Sequence, residues 1–140
     1  MQTSPTMSDA TSKLLRLGVI IGGLSGASGV AVLALSAHAD TTGLMKTAAH
    51  MLLFHAPVFL GMGLVAQIRR VPFLPVAFAL MVVGITLFSG DLIARATIGN
   101  RLFPMAAPTG GLLTIASWIA LALSAIRIHP KINRSGPISH

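Results

Sequence analysis

The chain has 140 residues, 54% of them hydrophobic and only 9% charged, a balance that excludes a water-soluble globule because a core of this size cannot hide so much apolar surface. Ten Lys and Arg against three Asp give a formal net charge of +7. The cations flank apolar runs and are not interleaved with aromatics, which excludes a nucleic-acid surface and points instead to anionic lipid headgroups. With no cysteine, disulfides, thiolate metal sites, cysteine-ligated clusters and a Cys nucleophile are all absent, so any metal would have to be held by His and Asp.

Taken in chain order, residues 1–12 are polar and without periodicity, a tail that ends where Lys13 and Arg16 meet the membrane surface. An apolar run follows over about 17–37. About 20 residues at 1.5 Å rise cover the roughly 30 Å hydrocarbon layer, so this run spans it. Ala37-His38-Ala39 before Asp40 has the look of a signal-peptidase site. The apolar stretch is longer than the roughly 7 to 15 residues of a signal h-region, which favours a retained helix.

A second run covers 48–66 and stops before Arg69-Arg70; a third covers 73–98, with Gly99-Asn100 as its stop. A fourth covers 108–126, starting at Pro108, where proline is tolerated in a first turn. Residues 128–140 form a basic tail carrying Lys131 and Arg134. The expected fold is therefore all-α: a polytopic four-helix membrane bundle over residues 13–127. Four spans put both tails and the Arg69-Arg70 loop on one side with Lys13, Arg16 and Arg127. Lys46, Arg95 and Arg101 fall on the other, so both termini are expected in the cytoplasm.

Helices in lipid associate through close packing and interhelical hydrogen bonds, so small residues mark the contact faces. Gly18, Gly22 and Gly26 at four-residue spacing, with Ser25 and Gly29 as a second small pair, form such a face on the first helix, and Ala116, Ala120 and Ser124 form one on the fourth. These two surfaces are expected to pair, within one subunit or between two. Trp118 is mid-span, so its indole N–H is expected to meet a carbonyl or hydroxyl inside the bundle.

The polar residues collect toward the non-cytoplasmic ends: His38 closing the first helix, His50 and His55 in the second, Ser89, Asp91 and Arg95 in the third, Thr109 opening the fourth. An Asp in a membrane helix costs roughly 2.5 to 3.5 kcal/mol and demands a partner. Arg95, one turn on, is the local one; His55, placed at a similar depth of about 10 Å, is the one across the interface. His50 and His55 lie about 140° apart around a helix and cannot share a ligand. A metal, haem or quinone would need ligands from other helices, so no cofactor is predicted. Pro57 frees the carbonyl of Leu53 and is expected to kink the helix beside the cluster. No phosphate loop, dinucleotide fingerprint, zinc-protease or nucleophile-elbow motif is present, and no enzyme is predicted.

The Gly-rich first helix ending Ser36-Ala37-His38, then Leu53-Phe54-His55-Ala56, Leu87-Phe88-Ser89-Gly90-Asp91, Pro108-Thr109-Gly110-Gly111 and Trp118 together resemble the domain of unknown function 423 family, which takes in transmembrane protein 256-like and YgdD-like small membrane proteins. The first-helix ending Leu33-Ala34-Leu35 departs from the family's usual pattern, and Asp91 stands where the family more often has a small or hydroxyl residue. The resemblance implies a four-helix protein of the bacterial inner membrane and brings no established activity. The leading expectation is a non-enzymatic accessory or assembly subunit that contacts lipids and a membrane-protein partner or a second copy. The alternative is a bundle handling a small molecule, protons, haem or quinone in a polar pocket of His38, His55, Asp91 and Thr109.

Overall fold

A computed structural model describes residues 12–130. The polar segment before Ser12 and the basic segment from Lys131 on, including Arg134, lie outside the described residues. Four helices carry the fold: α1 (Lys13–Ala39), α2 (Leu44–Ile68), α3 (Leu74–Ile98) and α4 (Ala106–Ser124), the last extended by a 3₁₀ turn, Ala125–Arg127. Each is long and apolar enough to cross a membrane. Two short strands, β1 (Arg69–Arg70) and β2 (His129–Pro130), pair antiparallel with Arg70 opposite His129.

α1 and α2 begin before their apolar runs because polar groups cap their first turns. The Ser12 hydroxyl accepts from the Leu14 N–H and starts α1 four residues before its apolar run. At the α1–α2 turn, the Asp40 carboxylate accepts from the N–H groups of Thr42 and Gly43 through one oxygen and from the Lys46 N–H through the other. The Lys46 N–H is one of the donors an α-helix leaves unpaired in its first turn, so α2 begins at Leu44 and not at Ala48. α3 stops at Gly99 (φ 72°), where left-handed backbone costs a glycine nothing. α4 starts two residues before Pro108, with Met105 as its cap at φ 70°. Pro57 sits inside α2, which continues through it.

Packing follows chain order: α1 lies along α2, α2 along α3, and α3 along α4. The expected pairing of α1 with α4 within the subunit is corrected here. The small face of α1 is filled by α2: a methyl group at Gly18 would stand 2.6 Å from the Phe59 carbonyl oxygen, and one at Gly22 2.9 Å from that of Ala56. Gly29 is closed off by Leu53, whereas Gly26 meets only the Ala56 methyl at 3.7 Å. On α4, Ser124 is buried and its hydroxyl donates to the Leu121 carbonyl, while Ala116 faces outward and Ala120 only partly inward. The second backbone-to-backbone approach falls between Gly84 of α3 and Gly110 of α4, where a methyl on either residue would meet the other's carbonyl oxygen at 2.8 and 2.7 Å.

The apolar core lies between α2 and α3, built on Phe59, Met62, Leu74, Phe78, Met81 and Ile85, with Phe59 and Phe78 meeting edge-on at 5.5 Å. Ile21 of α1 and Leu121 of α4 pack on it from outside. Large apolar side chains such as Ile20, Leu24 and Val30 on α1 and Ile115, Ile119 and Leu123 on α4 point away from the protein. That distribution suits a chain whose surroundings are hydrocarbon.

Candidate functional site

The predicted polar residues divide into separate sites. His55 is 11 residues into α2, about 16 Å from its start by helix rise, because α2 begins earlier than its apolar run. Asp91 is seven residues from the end of α3, about 10 Å. The two sit at different levels and do not pair.

His55 is buried, 7% exposed. Its Nδ1 is 2.8 Å from the Met51 carbonyl oxygen, and its Nε2 accepts the indole N–H of Trp118 at 3.3 Å. A carbonyl can only accept, so Nδ1 must carry the proton; an indole can only donate, so Nε2 must be bare. Both partners thus hold the imidazole neutral, in the Nδ1–H tautomer. The expected carbonyl or hydroxyl partner for Trp118 is replaced by an imidazole from α2, which ties α2 to α4 across the bundle. Neither ring nitrogen is left for a ligand.

Asp91 is 1% exposed and is anchored twice. One oxygen accepts the Leu102 N–H at 2.9 Å, pinning the α3–α4 loop; the other lies 3.7 Å from an Arg95 guanidinium nitrogen. The one-turn pairing read from the sequence is present, and the backbone bond eleven residues on had no local signal. Ser89, on the same stretch of α3, is buried with its hydroxyl 3.5 Å from the Ala48 carbonyl of α2. His38 and Thr109 are exposed at their helix ends, and His50 stacks at a tilt on Phe54, centroids 5.7 Å apart. Among the described residues, no three His, Asp or Glu side chains gather closely enough to hold a metal ion.

The predicted polar residues thus do not meet in one pocket: His55 and Ser89 reach neighbouring helices, and Asp91 holds the loop that follows its own helix. Ser117 and Thr114 are further buried hydroxyls that sequence reasoning passed over, and Ser25 is one it read only as a small packing residue. Ser25 donates to the Leu52 carbonyl of α2, Ser117 to the Ala77 carbonyl of α3, and Thr114 back along α4 to Gly110. Their only sequence signal is small polar residues inside apolar runs. A crevice of about 250 Å³ opens where α1 and α3 diverge above α2, with Ile21, Ser25 and Ser28 on one wall, Leu52 and Phe59 on the floor and Thr86 opposite. None of His38, His55, Asp91 or Thr109 lines it.

This arrangement, four spanning helices with His55 and Ser89 reaching across to neighbouring helices, coincides with a family match. The profile of DUF423, a family of unknown function, matches residues 25–111. The chain belongs to the DUF423 family. It is similar to the UPF0382 inner membrane protein YgdD of Escherichia coli (strain K12), Escherichia coli O157:H7 and Shigella flexneri, each 29% identical over 125 residues that cover 86% of this chain and 95% of the relative. No solved structure matches the chain. Spanning helices and relatives so named make this DUF423 chain a multi-pass inner-membrane protein of a family without an assigned activity. The DUF423 match takes in His55, Ser89, Asp91 and the Gly84–Gly110 crossing, and ends before Trp118.

Proposed function

We propose that this DUF423 protein is a non-enzymatic accessory subunit that packs against a helix of a larger inner-membrane complex through the outer face of α1, with both termini in the cytoplasm. One observation carries the reading. α1 uses Gly18, Gly22 and Gly29 against α2, and its opposite side still presents Gly23, Ala27 and Ala31 at four-residue spacing, all exposed. A methyl at Gly23 would meet nothing within 4 Å. Lipid chains gain nothing from such a ridge, whereas a second helix can approach along it. The buried polar groups support a structural role as well: among the described residues none lacks a hydrogen-bond partner, so none waits for substrate.

Because the chain has no cysteine, a single Ala27→Cys substitution gives a unique crosslinking handle. Treating native membranes with a thiol-directed crosslinker should give one adduct with a distinct membrane protein, and the same handle on the outer face of α4, Ile119→Cys, should give none. A strictly monomeric protein with no adduct from Ala27→Cys would overturn the proposal. An adduct with a second copy would replace the accessory role with self-association.

A further inference from the structure

The end of the molecule that holds Ser12 is cross-tied. The Ser12 N–H donates to Gln67 Oε1 at 2.8 Å, joining the start of α1 to the last turn of α2. Directly after that turn, β1 pairs with β2, so the α2–α3 connection and the segment after α4 form one small antiparallel ribbon. Directly opposed residues in such a ribbon share a face, with Cβ atoms about 5 Å apart, so Arg70 and His129 stand side by side. The His129 ring is fixed by its Nδ1, 2.9 Å from the Arg127 carbonyl oxygen, which brings Arg127 into the same frame.

Among the described residues, no acidic side chain lies at this end to pair with its cations. Lys13, Arg16, Arg69, Arg70 and Arg127 are all exposed. Among the described residues the ion pair is Arg95 with Asp91, at the other end of α3, and Asp40 sits in the α1–α2 turn at that same far end. Like charges brought together repel, so an anion seated on the ribbon would relieve that repulsion. The ribbon directly adjoins the end of α2, at headgroup level if α2 spans the bilayer.

We propose that the β1–β2 ribbon is a binding site for the phosphate groups of anionic phospholipid headgroups, with Arg69, Arg70, Arg127 and His129 as its ligands. The guanidinium fork matches phosphate oxygens in pairs, and Arg69 and Arg70 point to opposite faces of the ribbon, so phosphates of two headgroups can be held at once, one on the face that Arg70 shares with His129 and one on the Arg69 face. Diffuse attraction to a negative membrane would depend only on net charge. A built site depends on where the charge is.

Purified full-length protein in uncharged detergent would be titrated with cardiolipin, phosphatidylglycerol, phosphatidylcholine and inorganic phosphate. Thermal unfolding would report the midpoint, and native mass spectrometry the retained lipid. Cardiolipin and phosphatidylglycerol should bind saturably and phosphatidylcholine should not. Arg69→Gln combined with Arg70→Gln should raise the midpoint about thirtyfold, from about 1 kcal/mol per cation. Arg70→Gln alone should raise it about fivefold, while Arg101→Gln, the same charge loss at the opposite end, should leave it within about twofold. Equal losses for Arg70→Gln and Arg101→Gln would reduce the site to net charge and overturn the proposal. An identical shift with millimolar inorganic phosphate would reassign it to a soluble anion and overturn the lipid reading. Circular dichroism and size exclusion of each variant separate lost binding from lost fold.

Discussion

At the scale of single residues, the bond between His55 and Trp118 is the most informative feature, because it joins two helices that share little other contact. In hydrocarbon an abandoned indole N–H finds no water to replace its partner. His55→Phe keeps an aromatic ring of similar size in place and removes both hydrogen bonds. It should cost about 1 kcal/mol, in line with interhelical hydrogen bonds in membranes and below the penalty of a fully buried orphan, since Trp118 is 44% exposed. Trp118 is the chain's one tryptophan, so its emission reports the bond directly. The expected outcome is a blue shift together with a lower unfolding temperature in detergent; unchanged emission would mean the bond does not form. That Asp91 pairs with Arg95 was readable from their one-turn spacing. That His55 pairs with Trp118, 63 residues away, was not, since nothing local marks which of several helices a buried imidazole will meet.

At the scale of elements, the count of spanning helices was legible and their pairing was not. Four apolar runs fix four crossings through length alone. Small residues at four-residue spacing announce that some backbone will come close, without naming it, and so Gly18 and Gly22 pointed to α4 in the sequence yet face α2 in the structure. Nor did the spacing reveal Gly84, where α3 and α4 touch. There a methyl would stand 2.6 Å from the Thr114 hydroxyl and 2.8 Å from both the Gly110 carbonyl oxygen and the Thr114 backbone nitrogen, and those two backbone atoms cannot rotate away as a side chain would. Gly84→Ala should therefore push α3 and α4 apart at a cost of about 1 to 3 kcal/mol, whereas Gly23→Ala, with open space around it, should be neutral or stabilising by up to about 1 kcal/mol. Comparing the two melting temperatures separates close approach from helix propensity. The α1–α2 turn carries its own prediction. The Asp40 carboxyl sits below its ordinary value of 3.8: partial desolvation pushes it up, and the Lys46 N–H, the Thr42 hydroxyl and the N–H groups of Thr42 and Gly43 together outweigh that by binding the charged form. A lowered folded value means the carboxylate stabilises the turn above about pH 3.8 and that this contribution is lost as pH falls through the lowered value. Acidification from about pH 5 to pH 2 should thus weaken the wild type more than Asp40→Ala, and parallel pH curves for the two would exclude the turn as the cause.

For the whole molecule, the question is which way the helices run. An even number of spans returns the chain to the side it left, and the structure ties the two ends together at one place: Ser12 to Gln67, and β2 to β1. The first contact is lost if α1 or α2 fails to cross and the second if α3 or α4 does, because the partners would then lie on opposite faces of a layer about 30 Å thick. The same end carries Lys13, Arg16, Arg69, Arg70 and Arg127, against Lys46, Arg95 and Arg101 at the other, and of those three Arg95 is matched by Asp91. Excess positive charge near span ends resists translocation, so the tied end should be the cytoplasmic one. Fusing a reporter that is active only in the cytoplasm to either terminus should give signal from both, and placing it in the α3–α4 loop at Asn100 should give none. Signal from one terminus alone would require an odd number of crossings, and with it the loss of either the Ser12–Gln67 bond or the β1–β2 ribbon. Neutralising Arg69 and Arg70 together, by removing two of the cations that hold the loop inside, should then raise the fraction of inverted molecules. A reporter pattern indifferent to that change would assign the orientation to the first helix and its Lys13 and Arg16 instead.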